Sequence, residues 1–323
     1  MRRLAILPFV ALILMALLFG LSFVATKYAL KSIPPFTLIF LRFFIALFFL
    51  AAIYYRRHRG RLERGDWRQM FLTSLILPGL YFLAETYGLK LSSATSVSLL
   101  ISTIPIFAAI FAFFMIRERI PLWRGAGIAL SVLGVGALIT AAPGETASWK
   151  VVRAGNLLAL GAAICAALYM VLGRRLMAKY SPLTITTSQA LFAVLIFLPL
   201  SGTELFTHRW PGFDALTVAA VIYLALFCSV LAFFLWNYGI SRLEASTAAV
   251  FTNLVPVFTV FGAYFLLGER VQPGQIFGGA LVIGGVTLAS ATKGDPPPYP
   301  SPSEKLCRNE KSSRHSRESG NPV

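Results

Sequence analysis

Charged side chains are scarce in this chain. They make up 13% of its 323 residues, against roughly 25% in an ordinary soluble domain, so most of the chain cannot face water. Histidine is rarer still. His58, His208 and His315 all fall in predicted loops or in the C-terminal tail, so no apolar segment offers the imidazole that metal or Ser–His catalysis requires. Cys165 and Cys228 lie in apolar runs and Cys307 in the tail, which leaves no disulfide framework and reads the first two as small buried hydrophobes. A Gly-rich phosphate loop is absent, so direct powering by ATP is not expected. No metal or cofactor is implied. The apolar runs lack period-2 alternation, which argues against an outer-membrane barrel.

What is abundant is apolar length. The chain is 57% hydrophobic with a mean hydropathy of +0.74. Its runs approach the ~20 residues that cross the hydrocarbon core as a helix. The expected fold is an all-α membrane protein of ten transmembrane helices. Helices 1 to 5 are predicted at Leu4–Thr26, Pro35–Tyr55, Met70–Leu89, Ala94–Ile116 and Gly125–Ala141. Helices 6 to 10 are predicted at Ala154–Leu172, Pro182–Leu200, Leu216–Trp236, Ala245–Leu267 and Pro273–Ala289. Helix 1 is too long for a cleaved signal and reads as a retained anchor.

The same block occurs twice. Tyr87-Gly88, Pro105-Ile106-Phe107, Glu118-Arg119, Gly127 and Gly134 recur at a constant offset of 151 as Tyr238-Gly239, Pro256-Val257-Phe258, Glu269-Arg270, Gly278 and Gly285. Five crossings are odd, so the second copy is expected upside down relative to the first. The layout is then a first repeat at 4–141, a linker at 142–153, a second repeat at 154–290 and a tail at 291–323. Inverted repeats build two interchangeable faces around one midplane site. The tail is polar, carries Pro296-Pro297-Pro298 and lacks an apolar period, so it is expected to be disordered.

Basic residues orient the bundle. With the N-terminus inside, 21 Lys and Arg fall on inner segments and seven on outer ones, which predicts both termini in the cytoplasm. The net charge of +16 then belongs to loops beside anionic lipid rather than to a nucleic-acid surface.

Charges inside the spans are the sharpest candidates. Arg42 in helix 2 and Glu85 in helix 3 each lie roughly 8–10 Å inside the outer boundary at about 1.5 Å per residue, and intramembrane charges are expensive and seek partners. Glu85 reads as a proton carrier, or the two as a clamp on a zwitterionic solute, or equally as a structural ion pair. An offset of 147 in helix 7 places Gln189 opposite Arg42, while Trp236 falls opposite Glu85.

Pro105 and Pro256 break helices 4 and 9 at matched positions, each freeing a carbonyl. Paired interruptions point to a binding site. Ser102, Thr103, Thr252 and Asn253 beside them either line a cavity or repair the broken ladder. Tyr81, Tyr169, Trp236 and Asn237 are candidates for cavity walls, with an interfacial belt as the plainer reading for aromatics. The Gly-rich faces of helices 5 and 10 are structural, joining the halves or making a homodimer contact.

Together these features resemble the drug/metabolite transporter superfamily, specifically its EamA-like ten-helix members, over Leu4 to Ala289. The prolines of helices 4 and 9, the Glu118-Arg119 and Gly268-Glu269-Arg270 ends and the Gly-rich helices after them carry the resemblance. Ala84-Glu85-Thr86-Tyr87 is similar to an acidic helix 3 motif of one subset. Phe19-Gly20-Leu21-Ser22-Phe23-Val24 departs from the helix 1 motif, with Phe19 in place of its usual Trp. The resemblance implies an inner-membrane transporter, commonly an exporter of amino acids, metabolites or toxic compounds, often coupled to protons. A passive channel or a non-transporting membrane enzyme or scaffold are the alternatives. Glu118 and Glu269, at helix ends beside Arg, are expected to be caps rather than ligands.

Overall fold

The computed structural model describes residues 2–57, 63–116, 122–140, 148–173, 176, 179–207, 214–240 and 251–290. Glu118, Arg61 and the 291–323 tail lie outside them. Among the described residues no strand occurs, as expected where lipid offers no partner for an open backbone. Within those same residues seven helices are long and apolar enough to cross a membrane, and Gly125–Thr140, Leu254–Leu267 and Pro273–Ala289 are shorter apolar helices.

The first half contains α1 (Arg2–Ala29), α2 (Pro35–Arg57), α3, α4 and α5 (Leu122–Thr140). Helix α3 has two α-helical segments, Trp67–Ser74 and Tyr81–Leu91, joined across a kink at Leu75–Leu80. Helix α4 is broken into Ala94–Ile101 and Ile104–Ile116 by a turn at Ser102–Thr103. The second half contains α6 (Trp149–Leu172), α7 (Pro182–Thr207), α8, α9 and α10 (Pro273–Ser290). Helix α8 is interrupted at the matching place, by a π-helical stretch over Tyr223–Ala232 between Ala215–Ile222 and Phe233–Ile240. Helix α9 runs over Leu254–Gly262 and a π-helical Ala263–Leu267, after a turn at Asn253.

The halves interlock. α2 packs on α7, α5 on α10, α1 on α8 and α9, and α6 on α3 and α4. Exchanging the first five helices for the last five maps this set onto itself. The α2–α7 seam is filled by Ile39, Phe43, Ala46, Leu50, Ala190, Ala193 and Phe197. The α5–α10 seam has almost no side-chain layer. A Cβ on Gly127, Gly134 or Gly285 would fall 2.6–2.7 Å from backbone atoms of the facing helix, and one on Gly278 would meet Gly134 O at 3.0 Å. Small residues thus join the two halves, one of the two roles expected of them. Gly136 faces open space.

Large apolar side chains also cover the outside, including Phe48 and Phe265 at 73% exposure. In water such a surface would aggregate. Around these helices it is a surface for lipid, and the protein is a multi-pass membrane protein.

Residues from separate connections meet at the two ends of the bundle. At one end, Lys27 donates to the Leu89 carbonyl at 2.6 Å and to that of Ser92. Nearby, Ser92 donates to Asn156, which donates to Leu138 O at 3.2 Å. Tyr28 donates to Asp214 at 2.7 Å there too. At the other end, Lys179 donates to Glu63 and Asp66 at 2.6 Å each, and Tyr180 to Asp66 at 2.6 Å. The hydrogen bonds to Asp66 and Glu63 hold the Lys179 ammonium above its ordinary range. Asp214 caps its own helix by accepting from the Thr217 N–H at 3.0 Å, and hydrogen bonds from Thr217 and Tyr28 hold its carboxyl below the usual range.

Candidate functional site

Irregular turns inside helices recur at functional sites, and in this bundle the kink of α3 and the π-helical stretch of α8 are each held by a polar side chain from the opposite half. Helix α3 departs from helical geometry at Leu77, with φ −136° and ψ 114°. The carbonyl of Leu77 is claimed by the Gln189 amide of α7 at 3.1 Å. In α8, Ser229 donates to the Leu224 carbonyl five residues back at 3.0 Å, and Arg42 Nε of α2 donates to Ser229 Oγ at 2.9 Å. Arg42 and Gln189, which the repeat places opposite each other, therefore perform the same task in exchanged halves.

Arg42 is 6% exposed, with its guanidinium 4.5 Å from the Phe82 ring centroid and 5.8 Å from that of Phe43. Such stacking offsets part of the cost of burying a charge. Glu85 is equally buried. One of its oxygens accepts from the Tyr81 hydroxyl at 3.3 Å, and the other has no hydrogen-bond partner among the described residues. No direct ion pair joins Arg42 to Glu85. Phe43, Leu77, Phe82, Gln189, Ser229 and Phe233 line a narrow cavity here, with room for about one water molecule.

Arg42, Tyr81, Glu85 and Gln189 are thus brought together, with Tyr169 beside Gln189. The other candidates lie elsewhere. Ser102 and Thr103 donate back to Leu99 O at 2.7 Å and Leu100 O at 2.6 Å, repairing the α4 ladder just before Pro105. Asn253, 8% exposed, donates to the Thr287 hydroxyl of α10 at 3.0 Å, just before the buried Pro256. Trp236 packs against Leu12, Met15 and Leu18 of α1. Asn237 lies in α8, with its side chain outside those described. Glu269 is a cap, as expected, but on a helix of the other half. It accepts from the Ala94 N–H at 3.0 Å at the start of α4. Cys228 is buried and Cys165 half-buried.

Sequence reasoning missed Ser229 and Pro78, although the 151-residue offset superposes them and Pro78 breaks α3 visibly. It also missed Glu204 and Asn156, which nothing in their local sequence sets apart.

The sequence matches the EamA-like transporter family over residues 7–140 and 153–291. It is 32% identical to the uncharacterized transporter YetK of Bacillus subtilis over 288 residues, 88% of this chain and 87% of that protein. It is 29% identical over 297 residues to a probable amino-acid metabolite efflux pump of Salmonella typhimurium, covering 85% of this chain and 92% of the pump. A solved crystal structure with 21% identity shares the fold, with a TM-score of 0.60 over 87% of this chain and 95% of its own.

Proposed function

The chain belongs to the EamA-like transporter family, and from that premise we propose that it is a secondary transporter exporting small organic solutes across the inner membrane. Ten crossings form two inverted repeats, 4–141 and 154–290, with both termini in the cytoplasm. The halves alternate access to a midplane site around Arg42, Tyr81, Glu85 and Gln189. The observation that carries this reading is the exchanged pair of bonds, Arg42 to the π-helical stretch of α8 and Gln189 to the kink of α3. Matched interruptions held across the halves are what a two-faced carrier needs at its centre. The relatives described as amino-acid metabolite efflux pumps favour amino acids and their derivatives as solutes.

Glu85, with one carboxylate oxygen unpartnered, is the coupling group in this reading and exchanges a proton during the cycle. Purified protein in liposomes, given radiolabelled amino acids with and without a proton gradient, tests both parts. Saturable, gradient-driven accumulation is expected. Glu85→Gln should lose accumulation yet retain exchange. Flux in Glu85→Gln equal to the parent at every pH makes Glu85 structural, and no flux in the parent removes the transporter reading.

A further inference from the structure

Two carboxylates from the second half of the chain close over helix ends in the first. At the start of α2, Glu204 of α7 accepts from the Phe36 N–H at 3.2 Å, the Thr37 N–H at 2.8 Å and the Thr37 hydroxyl at 2.9 Å. At the start of α4, Glu269, just beyond α9, accepts from the Ala94 N–H at 3.0 Å and from the Thr95 N–H and hydroxyl at 3.4 Å each. The chemistry is the same twice: two first-turn amides that lack an acceptor in their own helix, one threonine hydroxyl, and a negative charge at the positive end of a helix.

Elsewhere the chain uses local caps, such as Asp214 at α8 and Ser93, whose hydroxyl accepts from the Ser96 N–H at 3.1 Å in α4 itself. Glu204 and Glu269 instead reach from one half to the other, at the same end of the bundle. Lys27 ties the same end further, donating to Leu89 O and Ser92 O beside the start of α4.

We propose that Glu204 and Glu269 are the two clasps of a gate. They hold the halves together at this face and release α2 and α4 when the face opens. This extends the transporter reading, on which it rests, to a part of the molecule away from Arg42 and Glu85.

The test is solute-free. In a background carrying Cys165→Ala, Cys228→Ser and Cys307→Ser, Ala190→Cys places a thiol on the cavity wall. A membrane-impermeant maleimide is applied to right-side-out and to inverted vesicles, so that each face is probed separately. Combining Glu204→Gln with Glu269→Gln should raise labelling from the clasp face about tenfold or more, since charge-assisted hydrogen bonds are being lost. Labelling from the opposite face should stay level or fall. Thr37→Val with Thr95→Val, which removes only the hydroxyl donors, should give a smaller rise of the same sign and serves if the glutamate variants do not fold. An unchanged rate, or equal rises from both faces, overturns the gate. Solute flux measured on the parent separates the two ideas: a parent that transports while the clasps prove inert refutes the gate alone.

Discussion

Ser229→Ala probes the joint between α2 and α8 most directly. The hydroxyl accepts from Arg42 Nε at 2.9 Å and donates to Leu224 O at 3.0 Å, at a site only 3% exposed. Its removal strands a charged donor. A hydrogen bond to a charged group contributes about 1.5–3 kcal/mol, and an orphaned buried polar group costs about 1–3 kcal/mol. The guanidinium keeps its seat 4.5 Å over Phe82, so the loss is partial, about 2–4 kcal/mol. Each kcal/mol moves the melting midpoint of a chain this size by roughly 2–4 °C. Ser229→Ala should therefore melt roughly 5–15 °C below the parent at a fixed scan rate, and Ser229→Thr, which keeps the hydroxyl, should recover most of that. The decisive assay is a double-mutant cycle. Arg42→Met should cost at least about 1 kcal/mol more in the parent than in Ser229→Ala. Equal costs in both backgrounds, or a Ser229→Ala protein that melts with the parent, refute the argument.

Other perturbations have equally definite outcomes. Gly134→Val pushes a side chain into Gly278 O and Val282 N, each 2.7 Å from where its Cβ would stand, and should destabilise by about 1–3 kcal/mol; Gly136→Ala, which meets nothing, should melt like the parent. Asn156→Leu removes the partner of Ser92 Oγ and Leu138 O at a site 1% exposed, and should lower the melting midpoint although it adds apolar surface. Asp214 has a lowered pKa in the fold, so its contribution is present above its ordinary value of 3.8 and lost as pH falls through the folded value. The melting difference between parent and Asp214→Asn should hold steady from pH 6 to 8 and shrink only below about pH 4. Lys179, with a raised pKa, behaves oppositely. Its contribution is full below 10.5 and is lost only as pH rises through the higher folded value, so Lys179→Met should show a constant difference through neutral pH that narrows in strong alkali.

Helix positions were legible because a membrane dictates the length and composition of what crosses it. Helix ends were less so. The apolar pattern of α7 stops at Leu200, yet the helix continues to Thr207, with Thr203 and Thr207 donating back to Leu200 O at 2.7 Å and Thr203 O at 2.8 Å. Depth along a helix, which follows from counting residues, placed Arg42 and Glu85 in one layer. Direction around the helix axis does not follow from counting, so the acceptor of Arg42, Ser229 on a helix almost two hundred residues away, could not be foreseen. Pro105 and Pro256 announced two interruptions. The π-helical turns of α8 carry no proline and left no sign beyond their alignment with Pro78.

The contact between α5 and α10 restricts how the molecule can change shape. Where main chain touches main chain there is no rotamer to flip, so parting the pair would open a gap that no side chain can fill. Under the alternating access proposed above, the solute path runs through the remaining helices, and probes attached to the outer surfaces of these two should keep a constant separation in both states.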